Sequence, residues 1–214
     1  MTDAGALVRP AFWLKAKREL ARNDPVMAKI IRAYPRVSLQ RRGEPFFTLA
    51  RSIVGQQISV KAAQSIWNRV AALAPEMQPQ HILALSQRKR RLKAAGLSER
   101  KVEYIVDLAR HFAEGTIHPH RWGAMSDEEV IGELIQVRGI GRWTAEMFLM
   151  FNLLRPDVFP LGDLGVQKGI RVNYFNNRKV SLKRMKKISE TWRPWRSVAT
   201  WYLWRSLDPL PVEY

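Results

Sequence analysis

Helix start signals recur at short intervals along the chain, and they constrain its fold more than any other feature of the sequence. Serine and aspartate cap helix N-termini well, and proline fits the first helical turn. Such signals precede apolar stretches of helical period, whereas the period-two alternation of strands is scarce. The candidate starts are Asp24-Pro25, Pro45, Ser59, Ser98, and Ser126 with Glu129. The pattern predicts about ten or more short helices and therefore an all-α fold.

The composition indicates a folded protein with a polyanionic partner. The length of 214 residues is enough for one large domain or two small domains. The hydrophobic content of 46% is enough for the chain to fold on its own. Lysine and arginine number 36 against 19 acidic residues, which gives a net charge of +17. This charge favours nucleic acid as the partner, and the alternative is a ribosomal or merely basic soluble protein.

Several classes of site and location are disfavoured. There is no cysteine, so disulfides, iron–sulfur clusters and cysteine-based zinc sites are excluded. His118 and His120 flank a proline and have no further ligands nearby in sequence, so we expect no zinc and no cofactor. The N-terminus lacks the apolar core of a signal peptide, and no run approaches the length of a membrane span. We expect a cytoplasmic, nucleoid-associated protein with no membrane contact.

Two helices are predicted to meet at a glycine turn. One runs from Ser126 to Val137 and the next from Arg142 to about Leu153, with Arg138-Gly139-Ile140-Gly141 between them. Free N–H groups in such a turn, beside the positive end of a helix, form an anion site that reads no base sequence. Ile140 would fill the space between the helices. The alternative is an ordinary helix connection with glycine caps.

Four motifs, in a fixed order, resemble those of one enzyme family. They are SIVGQQIS, VRGIGRWTAEMF, DVFPLGDLGV and ETWRPWRSVATWYLW. Together they resemble the helix-hairpin-helix (HhH-GPD) base-excision DNA glycosylases, and in particular the 3-methyladenine DNA glycosylases of AlkA type. The resemblance covers roughly Phe46 to Leu207. Val137 and Arg138 stand where the family hairpin usually has leucine and proline.

The resemblance implies two helical lobes with an active-site cleft between them. One lobe would combine residues 1–44 with 152–214. The other would be the middle lobe, residues 45–151, which contains the helix-hairpin-helix at 126–151. The resemblance also suggests that a monovalent cation can bind the backbone carbonyls of the hairpin near Val137 and Gly139.

Asp163 is the expected catalytic residue. It matches the essential aspartate of the family, and it precedes LGVQKGIRV, so it can cap a helix. Backbone N–H groups and the helix dipole stabilise a carboxylate at such a position. A carboxylate beside the sugar stabilises the oxocarbenium-like transition state of glycosidic cleavage or positions a water. Without the resemblance, Asp163 would be interpreted as a cap alone.

Trp143 and its neighbours are expected to select the base. Family members that also cut the strand have a lysine two residues after the second glycine, where this chain has Trp143, which cannot form an imine. The aromatic face of Trp143 would instead attract the cationic base of a methylated purine. The resemblance adds Trp204 and Met147 to the base pocket. Most of the tryptophans, such as Trp67 and Trp122, are expected in the core. Lys168 is interpreted as a phosphate contact or solvated surface.

The resemblance also implies contacts with DNA. Gln57 is the candidate wedge that fills the gap left by a flipped base, and the alternative is a surface amide. The basic run Arg88–Lys93 is either a solvated face or an extension of the electrostatic surface for DNA. The expected DNA-binding residues are Gly139, Ile140, Gly141, Arg142, Thr144, Gln57, Arg196 and Ser197.

The function that we expect is base removal without strand cutting. The chain would be a monofunctional glycosylase for alkylated purines of the 3-methyladenine and 7-methylguanine class, acting as a monomer on double-stranded DNA that contains such bases. The alternatives are a glycosylase for hypoxanthine, uracil or a mismatched base, and a non-catalytic helix-hairpin-helix DNA-binding protein.

Overall fold

Helices account for all regular structure in the computed structural model, which describes residues 9–36, 38–87 and 89–208. Within these ranges there is no strand, so the all-α expectation is confirmed. A 3₁₀ turn at Pro119–Arg121 lies in the connection between the helices that end at Glu114 and begin at Asp127. The helices are α1 Trp13–Asn23, α2 Pro25–Ala33, α3 Pro45–Gly55, α4 Val60–Leu73, α5 Pro79–Ser86, α6 Lys89–Ala94, α7 Glu99–Glu114, α8 Asp127–Leu134, α9 Arg142–Phe151, α10 Leu164–Phe175, α11 Leu182–Glu190 and α12 Arg196–Leu207.

The described chain divides into two units by its internal contacts. The first comprises the described parts of Met1–Arg41 and Leu149–Val212, and the second is Arg42–Phe148. The divisions after residues 41 and 148 lie three residues before those expected from the sequence, after 44 and 151. None of the described helices is both long and apolar enough to cross a membrane.

The first unit is organised around the buried carboxylate of Asp24. Its Oδ1 accepts the N–H groups of Val26 and Met27 at 2.8 and 3.0 Å, which caps α2 as the sequence predicts. Its Oδ2 accepts the Tyr174 hydroxyl at 2.6 Å and the Trp192 indole N–H at 3.0 Å. One side chain therefore joins the start of α2 to α10 and to the segment after α11.

Close packing of α10 on α12 also stabilises the first unit. A Cβ added at Gly169 would lie 3.0 Å from the Leu203 Cβ and 3.1 Å from its carbonyl oxygen. Any larger residue at Gly169 would therefore push the two helices apart. Buried aromatic rings of α1 and α12 complete this core, with Trp13 5.4 Å from Trp201 and 5.8 Å from Tyr202 between ring centroids.

The second unit is built on a row of aromatic side chains. Phe46 contacts Phe112, Phe112 contacts Trp122, and Trp122 contacts Phe148, with ring centroids 5.2–6.5 Å apart. Trp67 packs edge-on against Phe47. Trp67 and Trp122 are 4% and 1% exposed, so the expectation that they lie in the core is confirmed.

Glu133 fixes the segment before α8 to that helix. Its carboxylate accepts the Trp122 indole N–H at 2.8 Å and the backbone N–H of His118 at 3.1 Å, and the His118 ring nitrogen lies at 2.8 Å. Burial would raise the pKa of Glu133, but the hydrogen bonds from Trp122 and His118 hold it below its usual value. His118 is thus engaged by a glutamate, which gives its imidazole a structural role.

The first hairpin helix is shorter than the sequence indicates. Ser126 caps α8 and forms the expected capping box with Glu129. The helix ends at Leu134, whereas the sequence predicted an end at Val137. The reason is a tightening of the chain, because Gln136 and Val137 donate to Glu133 and Leu134, three residues back, as in a 3₁₀ turn.

Tyr174→Phe should lower the free energy of unfolding by about 1.5–3 kcal/mol, because it removes a hydrogen bond to the charged Asp24. Burial and the Asp24 hydrogen bond raise the pKa of Tyr174, so its hydroxyl stays a donor across neutral pH. Urea unfolding measures the effect. Tyr34→Phe is the matched control, because the Tyr34 hydroxyl has no hydrogen bond within the described residues. Equal stability of the two variants would contradict the role of Asp24.

Candidate active site and hairpin

Asp163 caps the N-terminus of α10, as the sequence predicts. Its Oδ1 accepts the Val166 N–H at 2.7 Å, and the residue is 9% exposed. The loop before it is tightly turned, since Asp163 donates to Pro160 O at 2.9 Å and the Gln167 amide donates to Leu161 O at 2.9 Å. These bonds fix the backbone around Asp163, and the Val166 N–H fixes its carboxylate.

Trp204 gives Asp163 a second hydrogen bond to the same oxygen. Its indole N–H donates to Asp163 Oδ1 at 3.0 Å, and its ring stacks on Phe151 with centroids 6.0 Å apart. Gly165 makes this contact possible, because a Cβ there would lie 3.0 Å from Asp163 Oδ1 and 3.1 Å from Trp204 Cδ1. The sequence placed Trp204 in the base pocket. In the structure its indole contacts the Asp163 carboxylate directly, and Gly165, which makes room for this contact, was not identified from the sequence.

The hairpin turn requires glycine at Gly139. Its φ of +83° is in the left-handed region, and a Cβ would lie 2.2 Å from Tyr104 Cδ2. Ile140 is buried, as expected for a plug between α8 and α9. Within the described residues, the N–H groups of Gly139 and Gly141 donate to no acceptor. They lie just before α9, so the turn presents free donors at the positive end of a helix.

The hairpin carbonyls of the suggested cation site each accept a hydrogen bond. Val137 O accepts the Ile140 N–H at 3.1 Å, and Gly139 O accepts the Gln56 side-chain amide at 2.8 Å. Among the described residues, no group of three or more histidine, aspartate or glutamate side chains is placed to hold a metal ion.

Arg142 and Thr144, both expected to bind DNA, are engaged within the second unit. The Arg142 guanidinium contacts Glu128 at 3.0 Å and Glu146 at 3.1 Å, and these carboxylates raise its pKa. Thr144 is 6% exposed. The Arg142 guanidinium is exposed but its charge is shared with these two carboxylates, whereas the N–H groups of Gly139 and Gly141 have no acceptor within the described residues.

The turn after α3 is attached to the hairpin. Besides the Gln56 contact with Gly139, Lys101 Nζ donates to Val54 O at 2.8 Å and Gln56 O at 2.7 Å. Burial lowers the pKa of Lys101. Gln57 is exposed at the tip of this turn, with a φ of +58° that is rare for a residue with a side chain. Lys101 was not identified from the sequence, because nothing local connects it to a turn more than forty residues away.

Trp143 and Met147 lie four residues apart on α9. Trp143 is 39% exposed, and Met147 is 8% exposed. A spacing of four places their side chains on the same face of the helix. Trp143 therefore presents part of an aromatic ring at the surface of the second unit, next to the free hairpin donors.

The side chains of Arg196 and Ser197, which the sequence suggested as DNA contacts, are both engaged within the first unit. Ser197 is fully buried, and its hydroxyl donates to Arg155 O at 2.6 Å and accepts the Val158 N–H at 2.9 Å. The Arg196 guanidinium is bound to Asp157 at 2.7 and 3.0 Å. Both side chains fix the 155–158 loop to the start of α12.

Comparison with known proteins places this arrangement in a family. A family model described as "HhH-GPD superfamily base excision DNA repair protein" matches residues 50–194. The chain is 34% identical to Bacillus subtilis YfjP over 75% of the chain and 58% of that protein, so it spans less than two thirds of that relative. It is 35% identical to DNA-3-methyladenine glycosylase 1 of Schizosaccharomyces pombe over 84% of the chain and 80% of that protein.

Solved structures agree with the sequence comparison. A DNA-3-methyladenine glycosidase from Bacillus halodurans superposes with a TM-score of 0.82 at 34% identity, covering 91% of this chain and 89% of that one. The Schizosaccharomyces pombe 3-methyladenine DNA glycosylase, solved in complex with abasic DNA, gives a TM-score of 0.77 at 31% identity, covering 94% and 99%. The resemblance found in the sequence is confirmed, and the chain belongs to the HhH-GPD superfamily of base excision DNA repair proteins.

Proposed function

We propose that the protein is a monofunctional DNA glycosylase that removes alkylated purines of the 3-methyladenine and 7-methylguanine class from duplex DNA. The observation that carries the proposal is the oriented carboxylate of Asp163, fixed by Val166 N–H and the Trp204 indole at 2.7 and 3.0 Å. The printed names of the 35%-identical fission yeast relative and of the Bacillus halodurans structure support the substrate class.

Asp163 would act on the sugar. Cleavage of an N-glycosidic bond develops positive charge on the sugar ring, and a nearby carboxylate stabilises that charge or positions the attacking water. Hydrogen bonds that already hold the carboxylate mean that little reorganisation is needed during the reaction. Trp204 and Gly165 are positioning residues in this scheme, because they act through the carboxylate.

The leaving base requires less assistance when it is cationic. N3- and N7-methylated purines carry a positive charge that weakens the glycosidic bond. A half-exposed aromatic face such as Trp143 attracts such a cation. Because Trp143 stands where a strand-cutting relative would have lysine, no imine with the sugar can form at this position. The expected product is an intact strand with an abasic site.

Binding to the duplex would depend on two elements of the second unit. The free N–H groups of Gly139 and Gly141 suit a phosphate, and this contact reads no base sequence. Gln57 projects from a turn that the Gln56 amide attaches to the hairpin and Lys101 attaches to α7, so a wedge at Gln57 would keep a fixed distance from the bound phosphate. The left-handed backbone at Gln57 supports a functional role, because such strain concentrates at functional sites.

Asp163→Asn should retain DNA binding and slow excision by about a hundredfold or more, because asparagine caps a helix well but carries no charge. Single-turnover release of 7-methylguanine measures the effect. Asp24→Asn is the matched control, since Asp24 is also a buried cap that accepts an indole N–H. It should reduce stability and leave excision by the folded protein intact. Normal excision by Asp163→Asn would refute the catalytic assignment.

Trp143→Leu should slow excision of 7-methylguanine relative to hypoxanthine by between about twofold and about thirtyfold, the range expected for a lost cation–π contact. The neutral hypoxanthine is the internal reference, because it carries no charge for the ring to attract. Trp143→Phe keeps a weaker aromatic face and should lie between Trp143→Leu and the unmodified chain. Equal losses on both bases would show that Trp143 contributes shape alone.

Gln57→Ala should weaken binding to duplex containing a lesion more than binding to the same sequence as a single strand, because only the duplex has a gap to fill. Gln57→Gly removes the same side chain but suits the left-handed backbone, so agreement between the two variants assigns the effect to the side chain. Gln80→Ala, at an exposed position on α5, is the control. A loss of equal size on both substrates would count against the wedge.

A further inference from the structure

The segment between Asp163 and Glu190 is free of acidic residues and rich in cations. Residues 164–189 contain no aspartate or glutamate. The cations in this segment are Lys168, Arg171, Arg178, Lys179, Lys183, Arg184, Lys186 and Lys187. Those from Arg178 onward are exposed and lie on α11 or in the turn before it. No carboxylate of the segment itself can balance this charge.

The charges on α11 are also unbalanced in three dimensions. Within the described residues, Lys183, Lys186 and Lys187 have no ion pair or side-chain hydrogen bond. Glu190, the acid at the end of the helix, is already bound to Arg193 at 2.7 Å and Arg196 at 3.5 Å. The three lysines line an open depression of about 700 Å³ together with Ser181, Arg184 and the Glu190 carboxylate. Arg193 chiefly, with Arg196 and Lys186, holds the pKa of Glu190 below its usual value, so Glu190 offsets part of the charge of Lys186.

This arrangement is unfavourable for the isolated helix. Lys183 and Arg184 lie in the first turn of α11, where the positive end of the helix dipole repels cations. Lys183 and Lys187 are four residues apart, so they repel each other on one face. The buried residues of α11, Met185 and Ser189, lie on a different face, so packing does not require the lysines. Local conflicts of this kind are typical of functional sites.

Several cations elsewhere in the described chain, unlike the α11 lysines, form ion pairs with carboxylates. Arg142 at the hairpin is bound by Glu128 and Glu146, Arg138 lies 3.6 Å from Asp107, and Lys93 lies 2.7 Å from Glu99. Arg88, in the same basic run as Lys93, lies outside the described residues. A cation that already forms an ion pair gains less binding free energy from contact with a phosphate than a cation without a partner. The unpaired lysines of α11 are therefore better suited to a polyanion than the arginine at the hairpin.

We propose that the face of α11 formed by Lys183, Lys186 and Lys187 is a second contact surface for the phosphate backbone of duplex DNA. Lys183 and Lys187 are separated by about 6 Å along the helix axis, which corresponds to about two phosphates of one strand at 3.4 Å each. Contacts of this type depend neither on the base sequence nor on the presence of a damaged base. The surface would add affinity for undamaged duplex and would take no part in base removal.

The salt dependence of binding to undamaged duplex tests this surface. The variant Lys183→Gln/Lys186→Gln/Lys187→Gln should reduce the slope of log K against log salt concentration by about 0.9 for each lost phosphate contact, and so by up to about 2.7. Its thermal stability should change little, because the lost repulsion between Lys183 and Lys187 offsets the lost attraction between Lys186 and Glu190. Lys183→Arg/Lys186→Arg/Lys187→Arg should keep the original slope, since the charges remain.

The matched control removes the same charge from another surface of the first unit. Lys15→Gln/Arg18→Gln/Lys29→Gln also lowers the net charge from +17 to +14, that is 17 − 3, and all three positions are exposed on α1 and α2. A change of slope confined to the α11 variant supports the proposal. Equal slopes for the two glutamine variants would overturn the proposal and show that the α11 lysines contribute only to the net charge of the protein.

Excision measured on the same variants separates this inference from the proposed function. Single-turnover release of 7-methylguanine at saturating enzyme should be unchanged in the α11 variant. If the unmodified chain released no base but the α11 variant still lost slope, the DNA surface would stand and the glycosylase proposal would fail. If base release was normal and the slopes were equal, only the α11 surface would fail.

Discussion

The close approach of α10 to α12 determines the geometry of the candidate active site. Gly165 and Gly169 leave room for Trp204 and Leu203, and a Cβ at either glycine would meet atoms of α12 about 3 Å away. The approach allows the Trp204 indole to donate to Asp163, which already caps α10. The carboxylate is consequently oriented from two helices at once, and the Asp24 hydrogen bonds to Tyr174 and Trp192 anchor the end of α10 and the segment before α12 to α2.

The second unit contains a separate constraint of the same kind. Only glycine fits at position 139, because the Tyr104 ring occupies the space of a Cβ, and within the described residues the N–H groups of Gly139 and Gly141 have no acceptor. The Gln56 amide attaches the exposed Gln57 turn to this hairpin, and Lys101 attaches the same turn to α7. The proposed phosphate contact and the proposed wedge are thus held on one rigid network. Charge is distributed differently: glutamates bind the hairpin arginine Arg142, whereas in the part of the chain that the structure describes no lysine of α11 forms an ion pair.

The parts of this structure that the sequence predicted are mainly local. Caps at Asp24, Ser98, Ser126 and Asp163 depend on partners within three residues, so their patterns are visible in the chain. Contacts between distant residues could not be derived in this way. Examples are Tyr104 against Gly139, Lys101 against the Gln57 turn, and the Trp204 hydrogen bond to Asp163. Ser197 was assigned to DNA because its motif resembles that of a DNA-binding family, but its burial is a tertiary property that the motif does not encode.

The central claim is that an oriented aspartate, with tryptophan in place of a hairpin lysine, removes cationic purines and leaves the strand intact. The most direct measurement is base release by the unmodified protein from DNA containing 3-methyladenine, 7-methylguanine, hypoxanthine or uracil, with the strand assayed for breaks before and after alkali. We predict release of the two methylated purines, faster than of the neutral bases, and breaks only after alkali. Release of none of the four bases by a protein that still binds the DNA would contradict the account and identify a non-catalytic DNA-binding protein.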